Sequence, residues 1–129
     1  MIVLDTHVLL WTASDPDRLS KRAREVIRKG REEAEIAIAT ITLWEVAWLA
    51  QNGRVVVTTG VESFVRETVV RVILRPMTPE IAALGVRLPE PFPRDPADRL
   101  IAATAMVEGS VLVTADSRIR QSKVLETVW

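Results

Sequence analysis

The sequence predicts a small three-layer α/β/α domain with a mainly parallel sheet of about five short strands. Three observations carry that expectation. Short apolar runs, Ile2-Val3-Leu4, Ile36-Ala37-Ile38-Ala39 and Val111-Leu112-Val113, alternate along the chain with segments of helical period. The runs show no apolar–polar alternation, which fits strands covered on both faces. A chain of 129 residues that is 48% apolar has the material for one core, so residues 1–129 read as a single domain.

The elements follow in order. Ile2-Val3-Leu4 is a buried strand that runs straight into Asp5-Thr6. His7 to Ala13 has helical spacing and stops near Asp15-Pro16. Ser20 caps a helix through Lys29-Gly30, with Ala23, Val26 and Ile27 inward and Lys21, Arg22, Arg24 and Arg28 outward. Ile36 to Ala39 is the second strand, and Thr42 to Gln51 a helix closed by Asn52-Gly53. Val61 to Val70 reads as helix and Val70 to Leu74 as the third strand. Pro79 to Leu84 is a short helix before a proline-rich loop, Leu88 to Arg94. Pro96 to Glu108 is the clearest helix, with proline at its first position and Gly109 after its end. Val111 to Thr114 is the fourth strand, Asp116 to Arg120 a turn or short helix, and Glu126 to Val128 an edge strand.

Composition removes several function classes. There is no Cys, hence no disulfide scaffold, no thiolate nucleophile and no Cys-ligated zinc. The one histidine, His7, excludes a site built from two imidazoles of one chain. No apolar run reaches the ~18–20 residues that cross a bilayer, and the N-terminus lacks a signal-peptide pattern. These absences point to a cytoplasmic protein. Lys+Arg and Asp+Glu both total 17, so any attraction for nucleic acid must come from local patches rather than net charge.

Four acids stand out by position. Asp5 follows the first strand, Glu45 lies in the first turn of the helix after the second, Asp98 in the first turn of the Pro96 helix, and Asp116 just past the fourth strand. In a parallel α/β sheet the strand C-termini and the helix N-termini that follow share one edge, where ligands bind. All four carboxylates are therefore expected in one crevice. Each also fits a helix cap: Thr42 to Glu45 as a capping box, Asp95 ahead of Pro96, Asp5 and Asp116 before the helices after them. The two roles are compatible, since a helix N-terminus favours an anion whatever else it does. Two carboxylates ~5 Å apart repel by about 3 kcal/mol at an effective dielectric of 20. Four together must take up protons or bind a cation, and oxygen-only donors suit Mg²⁺ or Mn²⁺, the ions of phosphoryl chemistry.

At these residues the chain resembles a known family. Val3-Leu4-Asp5-Thr6-His7-Val8-Leu9-Leu10-Trp11, Thr42-Leu43-Trp44-Glu45-Val46-Ala47, Arg94-Asp95-Pro96-Ala97-Asp98-Arg99-Leu100-Ile101-Ala102-Ala103-Thr104-Ala105 and Leu112-Val113-Thr114-Ala115-Asp116 are similar, in order, to the four acidic motifs of PIN-domain proteins. The likeness is greatest to VapC-type toxins of toxin–antitoxin pairs and spans essentially the whole chain. It implies an endoribonuclease in which Asp5, Glu45, Asp98 and Asp116 hold Mg²⁺, or Mn²⁺ in its place. Thr114 matches a hydroxyl that helps place the metal or its water, and Thr6 and Thr42 match supporting positions. The family pattern selects Asp98 over Asp95 as the third acid, and the usual serine three residues before the second acid is Thr42 here. The resemblance further implies an RNA substrate, a cognate VapB-like antitoxin and a homodimer.

The other candidates carry bland readings beside sharp ones. His7 beside Asp5 is a local hydrogen-bonding residue before it is a base. Trp11, Trp44 and Trp48 are core aromatics or, by the resemblance, antitoxin contacts. Arg94, Arg99, Arg118 and Arg120 flank the acids and are the phosphate-contact candidates, against the simpler reading that they are solvated or paired. The first strand lacks the Asp-x-Asp of a haloacid-dehalogenase-type phosphatase. The third strand, ending Leu74-Arg75-Pro76, lacks the aspartate of a response-regulator receiver. The rival from another class is a catalytically silent PIN fold that binds protein or RNA.

Overall fold

The computed structural model describes all 129 residues. It consists of β1 (Ile2–Leu4), α1 (Thr6–Ser14), a 3₁₀ turn (Pro16–Arg18), α2 (Lys21–Glu32), β2 (Ile36–Ala39), α3 (Ile41–Gln51), α4 (Val61–Thr68), β3 (Ile73–Arg75), α5 (Pro79–Arg87), α6 (Pro96–Val107), β4 (Val111–Val113), α7 (Ser117–Ser122) and β5 (Thr127–Val128). The strands form one sheet in the order β3-β2-β1-β4-β5, every pair parallel. The order reverses direction at β1, so the crevice between the C-terminal ends of β1 and β4 is the topological switch point.

Side-chain alternation along the strands builds a core on each face. Leu4, Ile36, Ile38 and Val113 point to one face, where Val8, Leu9, Ala23, Ile27 and Val46 from α1, α2 and α3 cover them. Val3, Ala37, Ala39 and Leu112 point to the other, against Ile101, Ala102 and Ala105 of α6 and Ile119 of α7. The alanines let α6 approach the sheet closely, while each fully buried Val, Leu or Ile contributes about 1.5–3 kcal/mol. No helix is long and apolar enough to cross a membrane.

Four details differ from the sequence reading, each for a local reason. α2 continues past Gly30 to Glu32. Gly30 is a packing position rather than a stop, because a Cβ there would sit 3.1 Å from Ile36 Cγ1 and 3.2 Å from Ile2 Cδ1. The chain leaves α2 instead through Ala34, in the left-handed region at φ 56°. β3 begins at Ile73 rather than Val70, since Arg71 at φ 63° makes a turn where the apolar run looked continuous. α5 extends to Arg87, beyond the expected Leu84. Thr42 is not a cap: α3 starts one residue earlier, and its N-cap, Thr40, makes no side-chain bond.

Candidate active site

The floor of the site is the end of β1. The Asp5 backbone N–H donates to the Val113 carbonyl at 3.0 Å, extending the β1–β4 ladder, and α1 then begins. Asp5 is only 8% exposed, and both its carboxylate oxygens are engaged. Oδ1 accepts from the Thr6 N–H at 2.8 Å, which is the cap of α1, and Oδ2 accepts from Thr114 Oγ1 at 2.7 Å. Burial raises the Asp5 pKa, and these two hydrogen bonds oppose the rise.

Glu45 reaches the same place from α3. Its Oε1 accepts from Thr6 Oγ1 at 2.6 Å. A hydroxyl has one proton, so the Thr6–Thr42 contact of 3.2 Å is a donation from Thr42 to Thr6. Thr42 is fully buried, and the chain of hydroxyls from Thr42 through Thr6 fixes the Glu45 carboxylate from below. Burial raises the Glu45 pKa as well, with the charges of Asp5 and Asp95 adding to it and Thr6 opposing it.

Asp98 occupies the first turn of α6, whose N-terminus Asp95 caps by accepting from the Asp98 N–H at 2.9 Å. Burial, reinforced by the charges of Asp5, Asp95, Asp116 and Glu45, pushes the Asp98 carboxyl up to about 7. Asp116 caps α7, accepting from the Arg118 N–H at 2.9 Å, while its own N–H donates to Thr114 Oγ1 at 3.1 Å. The Arg118 guanidinium lies 2.9 Å from Asp116 Oδ2 and 3.9 Å from Asp98 Oδ2. That hydrogen bond lowers the Asp116 pKa and raises that of Arg118.

Asp5, Glu45, Asp98 and Asp116, from four separate parts of the sequence, thus line one open pocket of about 660 Å³ at the switch point. Thr6 lines it too, with Thr42 and Thr114 behind. The cap readings hold alongside: Asp5, Asp95 and Asp116 are all caps. Glu45 is not, since it begins the second turn of α3.

Several candidates lie elsewhere. Arg94 is at the surface, paired with Glu90 at 3.4 Å. Arg99 uses its guanidinium to tie down the α5–α6 connection, donating to the carbonyls of Gly85 and Leu88 at 3.1 Å each. Arg120 is exposed and outside the pocket. Of the phosphate candidates only Arg118 lines the pocket, and it is engaged by the acids. Trp44 and Trp48 are 61% and 44% exposed on α3, and neither lines the carboxylate pocket. Trp11 does border the pocket, and also a neighbouring groove of about 730 Å³ whose walls include Leu10, Leu49, Val55 and Phe64.

Two pocket residues escaped the sequence reading. Asp95 was read as a cap alone, yet it lines the pocket and its charge acts on Asp98 and Glu45. Arg18 was not singled out; the signal was Asp15-Pro16, which turns the chain back so that the Arg18 guanidinium lies 4.4 Å from the Trp11 ring centroid.

The donor set is oxygen-only and hard, and three of its carboxyls are pushed towards protonation by burial, with repulsion adding to it. Those are the conditions a hard divalent cation relieves, so the residues fit Mg²⁺ or Mn²⁺ in kind. They are not gathered around an ion: no three carboxylates stand close enough together to hold one, and Arg118 takes up part of the charge between Asp98 and Asp116.

The chain has clear relatives. The family model described as PIN domain matches residues 2–124. Ribonuclease VapC22 of Mycobacterium tuberculosis is 41% identical over 130 aligned positions, covering 99% of this chain and 98% of the relative. Among solved structures, VapBC2 from Rickettsia felis bound to a promoter DNA fragment superimposes with a TM-score of 0.74 at 17% identity, covering 99% of this chain and 98% of the other. A toxin–antitoxin complex from Klebsiella pneumoniae gives a TM-score of 0.69 at 21% identity, covering 100% and 97%. At those identities the two structures speak for the fold.

Proposed function

The chain belongs to the PIN domain family, and from that premise we propose that residues 1–129 act as one unit, a divalent-metal-dependent endoribonuclease that is the toxin of a toxin–antitoxin pair. The observation that carries the reading is the convergence of Asp5, Glu45, Asp98 and Asp116 on one pocket at the switch point of the sheet. The likeness to Ribonuclease VapC22 over nearly the whole of both chains supports RNA as the substrate.

Asp5, Glu45, Asp98 and Asp116 would hold Mg²⁺, with Mn²⁺ able to substitute. When bound, the ion lowers the pKa of a water and offsets charge developing on the scissile phosphate. The chain's own residues do the rest. Thr114 donates to Asp5 Oδ2 and so favours the ionised carboxylate against the effect of burial. Thr42 and Thr6 hold Glu45 in one orientation through their hydroxyls. Asp95 organises the first turn of α6 so that Asp98 faces the pocket. Arg118 offsets the charge of Asp116 and Asp98, a role that a bound cation would take over.

The partners follow from the same premise. The solved relatives are VapBC and toxin–antitoxin complexes, and the apolar groove beside Trp11 offers a VapB-like antitoxin segment a place next to the carboxylates. Trp44 and Trp48, four apart and exposed on α3, supply an apolar surface for a homodimer. By the same reading the protein acts on RNA in the cytoplasm.

The test is a labelled single-stranded RNA incubated with the protein in Mg²⁺, in EDTA, and with Asp5→Asn in Mg²⁺. Cleavage that needs both the cation and Asp5 is the expected result. Cleavage in EDTA, or undiminished cleavage by the variant, overturns the site. Tight RNA binding with no cleavage on any substrate leaves a silent PIN-fold binding module as the better reading.

A further inference from the structure

The pocket that holds the carboxylates has two arginines, and they are used differently. Arg118 is bound up with Asp116 and Asp98. Arg18 makes no ion pair, although it shares a pocket with five acids, and instead its guanidinium lies over the Trp11 indole, 4.4 Å from the centroid. The seat is rigid. Pro16 fixes the 3₁₀ turn that carries Arg18, the Arg18 N–H donates to the Asp15 carbonyl at 3.1 Å, and Trp11 is braced by Trp129 at 5.9 Å between centroids. His7, exposed, stands 6.0 Å from the Trp11 ring on the side of the acids.

An acid-lined pocket repels a polyanion, so a nucleic-acid strand needs a free cation beside it. A guanidinium stacked on an indole offers two things at once: N–H groups at its edge for a phosphate, and an outward face on which a base can stack. We propose that Arg18, seated over the Trp11 ring, is a nucleotide subsite that seats the nucleotide next to the scissile phosphate of a single-stranded RNA. The subsite rests on the nuclease reading and adds to it the residues that grip the strand. It reads stacking and charge, so it accepts any base and requires the strand to be unpaired.

The experiment measures binding rather than turnover. A short fluorescein-labelled single-stranded oligoadenylate is titrated by fluorescence anisotropy over a range of salt, with Ca²⁺ present and the probe checked to be intact. The proteins are wild type, Arg18→Gln, Arg18→Lys, Trp11→Phe and Trp11→Leu, each confirmed folded by circular dichroism. Arg18→Gln is expected to weaken binding about tenfold and to reduce the log–log salt slope by about 0.7, the value for one contact to a single strand. Arg18→Lys should restore the slope but not the affinity, because an ammonium does not stack as a plane. Trp11→Phe should retain most of the binding and Trp11→Leu lose about tenfold. Wild-type binding with all four variants unchanged overturns the subsite and assigns Trp11 and Arg18 to the apolar groove. Full rescue by Arg18→Lys overturns it too, leaving a simple charge. A wild-type protein that binds no RNA at all overturns the nuclease reading on which the subsite rests.

Discussion

Asp98→Asn removes a buried charge, and with it the desolvation and repulsion that make this pocket a cation site. The substitution keeps the side chain's size and removes one charge from among Asp5, Asp95, Asp116 and Glu45. Burial and those neighbours hold the Asp98 carboxyl at about 7 against an ordinary 3.8. With the folded pKa raised, the folded form binds the proton more tightly than the unfolded chain does. Wild-type stability therefore declines as pH climbs from about 4 to about 7 and levels off above that. The variant lacks the group and its decline. The two proteins should melt together near pH 4 and diverge through that window, with the variant the more stable from about pH 7 upward. Taken whole, the difference between about 7 and 3.8 corresponds to about 4 kcal/mol. The side chain keeps 18% of its surface in an open pocket, so solvent screening leaves about 1–3 kcal/mol of it. For a domain of this size that is roughly 3–12 °C in Tm. The assay is thermal unfolding by circular dichroism in EDTA across the pH range. Added Mg²⁺ should then stabilise the wild type more than the variant and narrow the gap. A variant that melts at or below the wild type at about pH 8 refutes the reasoning, because a structural cap or ion pair at Asp98 would then outweigh the repulsion.

Three further outcomes follow from the same geometry. Thr114→Val removes the donor to Asp5 Oδ2, which should lower stability by about 1–3 kcal/mol near neutral pH and shift the acid limb of metal-dependent cleavage to higher pH; melting curves and a pH–rate profile check both. Arg118→Gln should lower the Tm slightly without metal but enlarge the rise produced by Mg²⁺, since the ion no longer competes with the guanidinium at Asp116 and Asp98; the comparison is a metal titration followed by melting temperature. Gly30→Val forces a side chain against Ile36 and Ile2 and should destabilise by about 1–3 kcal/mol in chemical denaturation, with RNA cleavage by the folded fraction unchanged.

How much of this was readable in the chain depends on the range of the signal. The strands and their parallel pairing were readable because Ile2-Val3-Leu4 and Ile36 to Ala39 are apolar at every position, the mark of burial on both faces. The convergence of Asp5, Glu45, Asp98 and Asp116 followed from topology, since each sits where an element meets the same edge of the sheet. What depended on side-chain direction was not readable. Arg94 and Arg99 flank Asp95 and Asp98 in sequence, yet on a helix neighbours point apart, and Arg99 turns to the carbonyls of Gly85 and Leu88. Gly30 looked like a helix stop because glycine often is one; only its distance to Ile36 shows it to be a close-packing position. Arg18 joins the pocket through the turn at Asp15-Pro16; those two residues mark where α1 stops but not the direction in which the chain returns, so Arg18 was not singled out.

The account stands on the carboxylates holding a divalent cation, and the most direct measurement is a Mn²⁺ titration followed by electron paramagnetic resonance. The free-ion signal should be suppressed to saturation by the wild type. Asp5→Asn, Glu45→Gln, Asp98→Asn and Asp116→Asn should each weaken that suppression while remaining folded. Mn²⁺ left free by the wild type, or bound equally well by all four variants, would contradict the assignment of this pocket as the metal centre.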